Sequence, residues 1–524
     1  MTLESNLTTA FQAIGRDVKD LSTAGGVLAS RQGVSTDSSD NSSALASIAT
    51  RYQTLTGTVL VDLPPGVVRG HLPMAPGIVW RFNGTTLKPP NSGPTKHMTY
   101  PLDPVWADGC RTGLQDVYGE MRVAGAGAHR CGIVGSGVID GEASRWNITP
   151  VPIGPTPTVA QGTGSLATGS GNYYAYKIAY RTGFGIGRPG GAGDRELLAG
   201  GGTVVSWTNP PGAAGAQVVV YGRGPWGPEP WQELVTLPPG TTTWTDDGSA
   251  TPGTYYFDAD MSAPAGLFMT GAGYQIRGDI RVVDVPGTGL ASRWEAELPI
   301  NEPPTRQMEA NIDGLYIENP GADGAVFHGP HDTIVNNLYV VRPGARAPDA
   351  RDGVVFGVHG PYVLKSGHIW GYHRRSITAL GFVYLCHTET EGARDIGIWL
   401  QDKAQVVGAK VFYPGTATAR GVVIGTPSYK ATVAVSGLYI EGFSSGSGAA
   451  LDINNAGNGS QISGMVRQDS GTAVTTGYST RLNLDVEVAG TGWTQSARPV
   501  LTLTQAQYDA LTVKHPATLY VIQG

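Results

Sequence analysis

The sequence has few cysteines, no excess of basic residues and no long apolar run. Its three cysteines, Cys110, Cys131 and Cys386, are widely spaced and form no CxxC pair, so neither a disulfide framework nor a zinc site is predicted. The formal net charge of -6 is spread over 524 residues without a basic stripe, which argues against a nucleic-acid partner. No stretch reaches the about 18 apolar residues of a membrane-spanning helix, and no basic segment followed by an apolar core begins the chain. We therefore expect synthesis in the cytoplasm and no membrane insertion.

Glycine and proline are abundant, whereas charged residues are scarce. The chain contains 76 Gly and 36 Pro, and only 15% of its residues are charged. This much glycine does not suit a helical bundle, but it suits a fold with very many turns. The composition therefore favours an all-β protein built from short strands.

Short, similar strands repeat between residues 311 and 468. One family of segments reads IDGLYIEN (312–319), VNNLYVVR (335–342), VSGLYIEG (435–442) and ISGMVRQD (462–469). A second, interleaved family reads GAVFHG (324–329), GVVFGV (353–358), GIWLQD (397–402) and GVVIGT (421–426). Apolar residues alternate in the first family with the period of a strand. Such strands, separated by Gly, Asn, Asp and Pro corners, predict a parallel β-helix whose function lies on its outer surface or its ends.

Changes in pattern divide the chain into five segments. Residues 1–32 are predicted to form an N-terminal helical stem or attachment segment, and residues 33–151 the start of the β-helix with a capping helix. Residues 152–258 contain alternating aromatic and β-branched strands with Pro/Gly turns, which predicts a small antiparallel β-sandwich inserted in a loop of the solenoid. Residues 259–470 are predicted to form the main β-helix, and residues 471–524 a small C-terminal α/β segment.

Residues 3–22 are predicted to form the one long helix of the chain, and this helix has an apolar seam. Apolar residues follow one another at intervals of four and three residues in turn, as at the a and d positions of a coiled coil. They are Leu7, Phe11, Ile14, Val18 and Leu21. Two heptads are too short to be stable alone. The seam fits an amphipathic helix that packs on its own chain, or a stem that self-associates or docks on another protein.

Several segments resemble known β-helix families. GVSTDSSDNSSALASIATRYQ followed by TVLVDLPPGVV resembles the opening of phage tailspikes and other pectate-lyase-like proteins, which implies a right-handed parallel β-helix whose first coil is capped by a helix. GSGVIDGEASRW (135–146) is similar to a segment of polygalacturonases, but their catalytic motifs are not recognisable elsewhere in this chain. GNYYAYKIAYR, VSWTNPPGA and VVVY resemble strands of a fibronectin type III domain.

The two ends of the chain resemble minor tail proteins of actinobacterial phages. LTQAQYDALTVKHPATLYVI is similar to their closing segment, and LTTAFQAIGRDVKDL to their opening. The resemblance implies a virion tail fibre or tailspike, made in the host cytoplasm. It also implies a homotrimer that attaches to other tail or baseplate proteins through its N-terminal segment and recognises bacterial cell-envelope polysaccharide.

The strongest concentration of candidate catalytic groups is YLCHTETEGARD (384–395). His387, Glu389 and Glu391 alternate and would share one face of an extended strand, and Asp395 follows after a turn. Carboxylates about 5 to 10 Å apart can act as general acid and as base or nucleophile in glycan cleavage. Nearby residues supply flat aromatic faces and cationic groups that suit sugar binding: Trp370, Tyr372, His373, Arg374 and Trp399. The alternative is a solvated loop whose acids lie beside Arg394.

Asp140 and Glu142 form a second candidate catalytic pair. They lie near Arg145 and Trp146, but the IDG sequence that contains Asp140 is also typical of a corner.

A recurring aspartate precedes the strands of the second family. Asp323, Asp352 and Asp395 occupy this position. We expect tight corners here, in which Asp hydrogen-bonds the turn and the glycine after Asp323 and Asp352 supplies a positive φ.

Histidines are concentrated in the main β-helix, at His328, His331, His359, His368, His373 and His387. They lack the i, i+4 helical or i, i+2 strand spacing of a tight metal site, so no metal is predicted. No other cofactor is indicated, because the Gly-rich segments lack the flanking strand and helix of a phosphate loop.

The sequence leaves three functions open. The first is a virion protein that binds host glycan, and the second is a polysaccharide depolymerase, either hydrolase or lyase, that uses the carboxylates above. The third is a purely structural tail-tip component. An adhesin without enzymatic activity would bind glycan without releasing new chain ends, which separates the first two.

Overall fold

Two long stacks of parallel strands dominate the computed structural model. The residues that it describes are 26–53, 58–75, 77–101, 131–222, 231–252, 259–270, 274–293, 310–330, 332–346, 350–358, 360–426, 430–442, 449–467, 471–479, 482–489, 493–494, 500–505, 509 and 519–523. The helix predicted for residues 3–22 lies outside them. No helix among these residues is long and apolar enough to cross a membrane.

The first coils precede the insertion. Their elements are β1 (Val27–Leu28), a one-turn 3-10 helix (Ala29–Gln32), α1 (Ser42–Tyr52), β2 (Val59–Asp62), β3 (Gly66–Arg69), β4 (Leu72–Met74), β5 (Ile78–Lys88), β6 (Thr99–Pro101), β7 (Gly132–Asp140) and α2 (Ala143–Trp146). The Ser42 amide at the start of α1 donates to Asp40 Oδ1 at 2.8 Å. Leu45, Ile48 and Ala49 on one face of α1 are buried and join the core of the first coils.

The inserted segment forms two antiparallel sheets. Its strands are β8 (Thr158–Thr163), β9 (Tyr173–Arg181), β10 (Gly193–Glu196), β11 (Gly201–Ser206), β12 (Gln217–Gly222), β13 (Gln232–Leu237) and β14 (Thr243–Asp246). One sheet has the order β10-β9-β12-β13 and the other β14-β11-β8. They enclose a core of their own that includes Tyr174, Ile178 and Val218. The strands before and after the insertion pair directly with each other. Gly132 of β7 is in register with Gln275, which lies on the next coil after the insertion.

The main solenoid follows the insertion. Its strands are β15 (Leu267–Thr270), β16 (Gln275–Val283), β17 (Leu290–Arg293), β18 (Asn311–Glu318), β19 (Ala325–His328), β20 (Thr333–Val341), β21 (Asp352–Phe356), β22 (Tyr362–Trp370), β23 (His373–Ala379), β24 (Val383–Cys386), β25 (Glu389–Glu391), β26 (Ala393–Leu400), β27 (Ala404–Val407), β28 (Lys410–Phe412), β29 (Arg420–Ile424), β30 (Val433–Glu441), β31 (Leu451–Ala456) and β32 (Ser460–Arg467). The last strands are β33 (Gly471–Thr472), β34 (Val474–Ser479), β35 (Leu482–Ala489), β36 (Trp493–Thr494), β37 (Val500–Thr504) and β38 (Leu519–Gln523).

Successive coils stack in register to give two large parallel sheets. The first sheet runs β1-β2-β5-β7-β16-β18-β20-β22 and continues through β24 and β25, β27 and β28, β30, β32 and β35. The second runs β15-β17-β19-β21-β23-β26-β29-β31-β34. Their inward residues form one continuous hydrophobic core from the first coils to Val474. The predicted parallel β-helix with an inserted β-sandwich is confirmed.

One position of the first sheet adopts a left-handed backbone in coil after coil. Its φ is 83° at Gly314, 54° at Asn337, 57° at Ser366, 51° at His387, 68° at Gly408 and 63° at Gly437. A second left-handed column follows each strand: Asn319, Arg342, Gly371, Gly392, Tyr413 and Gly442. We call the part of the sheet between these columns the C-terminal facet. The small residue before Leu-Tyr in the first sequence family is thus a corner of the backbone.

The glycines of the second sequence family have a different role from the predicted one. Gly324 and Gly353 are absent from the residues with positive φ. A Cβ at Gly324 would lie 2.3 Å from both Gly353 O and Val340 Cγ1, and one at Gly353 would lie 2.4 Å from Ile369 Cγ2. The expected positive φ was wrong, because these glycines permit close approach of the two sheets instead.

A buried charge cluster joins the sandwich to the solenoid. Arg188, between β9 and β10, lies 3.1 Å from Asp323 Oδ1 and 3.0 Å from Asp352 Oδ2. Arg351 lies 2.6 Å from Asp260 Oδ2 and donates to the carbonyl of Val151 at 2.7 Å. The Asp-Gly aspartates therefore anchor the insertion, in addition to any role at a corner.

Candidate functional site

The outward side chains of the C-terminal facet form a continuous surface, which we call the aromatic–acid face. Inward residues such as Leu315 and Ile317 are fully buried, so the residues between and after them point outward. The face comprises Tyr316, Glu318, Tyr339, His368, Trp370, Glu389, Glu391, Lys410, Phe412, Tyr439 and Glu441. Tyr316 and Tyr439 are five inter-strand steps apart, or roughly 24 Å at about 4.8 Å a step.

One group of aromatic rings surrounds Trp370. The Trp370 ring lies 4.4 Å from the His368 ring, 6.3 Å from Tyr316 and 6.4 Å from Tyr339, centroid to centroid. Tyr339 is 40% exposed. Flat, partly exposed rings on a rigid sheet offer apolar faces on which a sugar ring can stack.

A second aromatic group lies further along the solenoid. The Phe412 ring is 5.7 Å from the Tyr439 ring and 5.9 Å from that of Tyr413, and Tyr413 is 63% exposed. The face therefore has aromatic surface on both sides of its centre.

Two carboxylates lie between the aromatic groups. Glu389 and Glu391 point outward on either side of the buried Thr390, as their alternation predicts. His368 Nε2 lies 3.3 Å from Glu391 Oε1, and one ligand atom each of His368, Glu389 and Glu391 fall within 4.8 Å of one another. Lys410 of the next coil is in register with Glu389 on the neighbouring strand. Ionisable groups thus lie at the centre of the face, between its two aromatic groups.

The acids at the two ends of the face are paired with arginines. Glu318 lies 2.8 Å from Arg342 and 3.4 Å from Arg281. Glu441 lies 3.2 Å from Arg467 and accepts a hydrogen bond from Tyr439 at 2.8 Å. Both end carboxylates therefore have cationic partners on neighbouring coils.

Two of the predicted catalytic residues lie apart from Glu389 and Glu391. His387 occupies a left-handed corner with a φ of 51°. Asp395 belongs to β26 of the second sheet, where it lies 2.8 Å from Arg375 and 3.3 Å from Arg420. The pair that the structure brings together is therefore Glu389 and Glu391, with His368 rather than His387.

The predicted glycan-binding residues are divided among three locations. Trp370 lies on the aromatic–acid face, and Tyr372 is 63% exposed at the next corner, with the guanidinium of Arg394 5.2 Å from its ring. Trp399 belongs to the second sheet, with the Arg375 guanidinium 4.2 Å above its ring.

His373 and Arg374 have internal partners. His373 is fully buried, hydrogen-bonds Ser376 at 2.7 Å, and has its pKa lowered to about 4 by burial. Arg374 donates two hydrogen bonds of 2.8 Å to Asp352. Neither arrangement leaves the side chain directed at a surface ligand.

Asp140 and Glu142 lie in a network of cations. Glu142 is 3.0 Å from Arg69, 3.1 Å from Lys88 and 3.1 Å from Arg145, and Lys88 also lies 3.0 Å from Asp140. Partial burial opposes ionisation of Glu142, but hydrogen bonds and charges from Arg69 and Lys88 lower its pKa to about 2. A carboxylate held ionised in this way suits a structural role better than proton transfer.

Replacing Glu142 by Gln is expected to destabilise the protein in a pH-dependent way. At neutral pH the loss should be about 1–3 kcal/mol, as for charged hydrogen bonds. Because the folded pKa of Glu142 is depressed, its contribution is complete above about 4.5 and disappears as the pH falls towards about 2. Urea unfolding of the parent and of Glu142→Gln over this range measures the difference. A difference that stayed constant with pH would contradict the assignment.

Two buried threonines lie behind the acids. Thr388 and Thr390 occupy inward positions where other coils have Leu, Ile, Val, Ala or Gly, and neither hydroxyl has a hydrogen-bond partner among the described residues. Burying an unpaired hydroxyl costs stability.

Replacing Thr390 by Val should therefore raise the free energy of unfolding by about 1 kcal/mol, since the shape is kept and the unpaired hydroxyl is removed. The matched variant Thr390→Ser keeps the hydroxyl, loses a methyl group and should be destabilised by about 1 kcal/mol. Thermal or urea unfolding of the three proteins tests the order, and a destabilised Thr390→Val protein would show that the hydroxyl is paired.

Reasoning from sequence missed most of the aromatic–acid face. Tyr316, Tyr339 and Tyr439 follow Leu in the repeats LYIE, LYVV and LYIE. This recurring outward tyrosine was a detectable signal. His368, Lys410 and Phe412 had no such signal, because their proximity to the acids arises only from stacking of coils.

Comparison with known proteins identifies a match to a protein-family model. Residues 500–522 match the model of the phage tail tip domain, whereas no curated protein matches the sequence. Among solved structures, the family 28 exopolygalacturonase of Yersinia enterocolitica has 12% identity and a TM-score of 0.31, over 90% of this chain and 78% of that chain. The tailspike protein gp49 of Pseudomonas phage LKA1 has 12% identity and a TM-score of 0.29, over 95% and 83%. The match at residues 500–522 confirms the resemblance to phage tail proteins that the C-terminal sequence predicted.

Proposed function

We propose that this chain is a tail fibre or tailspike protein of an actinobacterial phage, and that it binds host cell-envelope glycan through the aromatic–acid face. The match of residues 500–522 to the phage tail tip domain supports the proposal that the chain is a component of the phage tail. The aromatic–acid face carries the proposal of glycan binding, because it combines exposed rings with polar groups on a rigid wall. Its length of roughly 24 Å suits an extended polymer better than a single small molecule.

The test is incubation of the purified full chain with envelope polysaccharides of candidate hosts. Binding is measured by co-sedimentation with cells and by titration calorimetry with the isolated polysaccharide. We expect saturable binding to the glycan of at least one host. If neither cells nor glycans bind, the proposal of receptor recognition fails and a purely structural tail component takes its place.

The proposed assembly is a homotrimer attached to other tail or baseplate proteins through the N-terminal segment. The proposal rests on the resemblance and on the apolar seam of residues 3–22. The inserted sandwich, which resembles a fibronectin type III domain, is proposed to serve as a spacer or a second adhesin. Light scattering should give three times the chain mass of 54.7 kDa, and a monomeric mass would contradict the trimer.

A second candidate activity is glycan cleavage by Glu389 and Glu391. A carboxylate oxygen of Glu389 lies within 4.8 Å of a carboxylate oxygen of Glu391. This separation is close to that of the two acids in retaining glycosidases, which is about 5–5.5 Å. The aromatic rings on both sides would hold the polymer across them.

Cleavage is tested by measuring new reducing ends and unsaturated sugars after incubation with a glycan that binds. In a depolymerase of this kind, the double variant Glu389→Gln/Glu391→Gln should lose activity by about 100-fold or more and still bind glycan. A double variant that cleaves as fast as the parent would exclude these acids. Binding without any new chain ends would leave the chain as an adhesin.

A further inference from the structure

We propose that His368, Glu389 and Glu391 form a binding site for a divalent cation of the zinc class. Among the residues that the structure describes, they form the one group of three or more histidine, cysteine or acidic side chains whose potential ligand atoms all lie within 4.8 Å of one another. The proposal concerns a bound ion and goes beyond glycan recognition.

Stacking of the coils places the three side chains together. His368 of β22 is in register with Glu389 of β25, and Ile369 with Thr390. Since side chains alternate along a strand, Glu391 points to the same side as Glu389. The three ligands therefore come from adjacent strands of a rigid sheet.

One of the three ligand separations already fits a tetrahedral ion. Two ligand atoms bound to zinc at about 2.0–2.1 Å are about 3.3–3.4 Å apart in a tetrahedron. His368 Nε2 and Glu391 Oε1 are 3.3 Å apart. Glu389 is partly exposed, so its carboxylate can rotate towards the other two without movement of the backbone.

The surroundings favour a cation and leave it accessible. Glu389 and Glu391 bring two carboxylates together, and a cation between them would relieve their repulsion. The side chains of His368 and Glu391 are 31% and 33% exposed, so further coordination positions would face solvent, as in open zinc sites. The ring of Trp370, 4.4 Å from that of His368, restricts the imidazole.

The donor set discriminates among cations. Imidazole nitrogen combined with carboxylate oxygen suits zinc and related transition metals, whereas calcium and magnesium prefer sets made of oxygen alone. Lys410, next to Glu389 on the following coil, would compete with the ion for that carboxylate. Its removal should therefore strengthen binding.

The experiment is calorimetric titration of the full chain with zinc chloride and, separately, calcium chloride, without glycan. We expect zinc binding whose affinity falls by about 10–100-fold or more in each of His368→Gln, Glu389→Gln and Glu391→Gln, with much weaker binding of calcium. Asp279→Asn, which alters an exposed acid of the first sheet outside the aromatic–acid face, should bind zinc like the parent. Zinc affinity equal in the parent and in the three ligand variants would overturn the site, as would no zinc binding at all.

Two further measurements cover the case of a variant that folds poorly. Lys410→Gln, which leaves all three ligands in place, should bind zinc more tightly than the parent. Zinc should raise the melting temperature of the parent and not that of any ligand variant that folds. An unchanged affinity in Lys410→Gln together with an equal zinc shift in the ligand variants would contradict the proposal. Because no glycan is present, failure here is distinguishable from failure of glycan recognition.

Discussion

Replacing Asp352 by Asn is expected to lower the free energy of unfolding by about 3–5 kcal/mol, the cost of leaving buried charges without their partner. Asp352 is fully buried. It accepts two hydrogen bonds of 2.8 Å from Arg374 and lies 3.0 Å from Arg188 of the sandwich. An amide in its place keeps the shape but removes the charge that compensates two guanidinium groups.

The pH dependence of this contribution has a definite sign. Burial opposes ionisation of Asp352, but the charges of Arg374 and Arg188 outweigh it and hold the pKa of the carboxyl well below its usual range. A depressed pKa contributes stability at all pH values above the unfolded pKa, and the contribution is lost only as the pH falls towards the folded pKa. The effect of Asp352→Asn should therefore be complete at neutral pH.

Asp395→Asn is the matched control for this prediction. Asp395 also pairs with two arginines, Arg375 and Arg420, but its side chain is 36% exposed. Exposed ion pairs contribute about 0–1 kcal/mol, so this variant should be nearly as stable as the parent. Urea unfolding of the three proteins measures the difference. Equal stability of Asp352→Asn and the parent would show that the buried cluster does not hold the sandwich in place.

The double variant Tyr339→Ala/Trp370→Ala is expected to weaken glycan binding by about 100-fold. Central aromatic residues of an interface typically cost about 2 kcal/mol or more when truncated, and the two rings are in contact, so their effects should not add fully. Both rings lie on the surface, and removing them leaves the inward residues Val340 and Ile369 unchanged. The loss should appear in calorimetric titration with the glycan.

Leu198→Ala is the control for loss of exposed apolar surface. Leu198 is 64% exposed on the sandwich, away from the aromatic–acid face, and its truncation should leave glycan affinity unchanged. If the double variant and this control bind equally well, the aromatic–acid face is not the receptor-binding surface.

The repeats revealed the solenoid because both the alternation of apolar residues along its strands and the turn residues at its corners are local properties of the sequence. The C-terminal facet and its corners were harder to recognise, since Gly314, Asn337, Ser366 and His387 share one backbone conformation but no common side chain. The glycines at 324 and 353 looked like turn residues, yet the structure uses them for contact between sheets. Such a contact depends on which residue of the next coil lies opposite, and no local pattern records it.

The candidate site was predicted only in part for the same reason. Glu389 and Glu391 were found because they alternate within one strand. His368 belongs to the preceding coil. Its distance along the sequence from the two glutamates matches neither the repeat of a helix nor that of a single strand, so sequence patterns did not connect the three residues. Asp395 was grouped with the glutamates because it is near in sequence, although the corner between β25 and β26 takes it to the other sheet.

The two left-handed columns also make the face modular. Between them, each coil contributes two outward side chains, such as Tyr316 and Glu318 or Lys410 and Phe412, while Ile317 and Val411 maintain the core. Exchanging an outward pair alters the surface without altering the packing beneath it. A combinatorial library confined to these pairs would vary the chemistry of the surface on a constant scaffold.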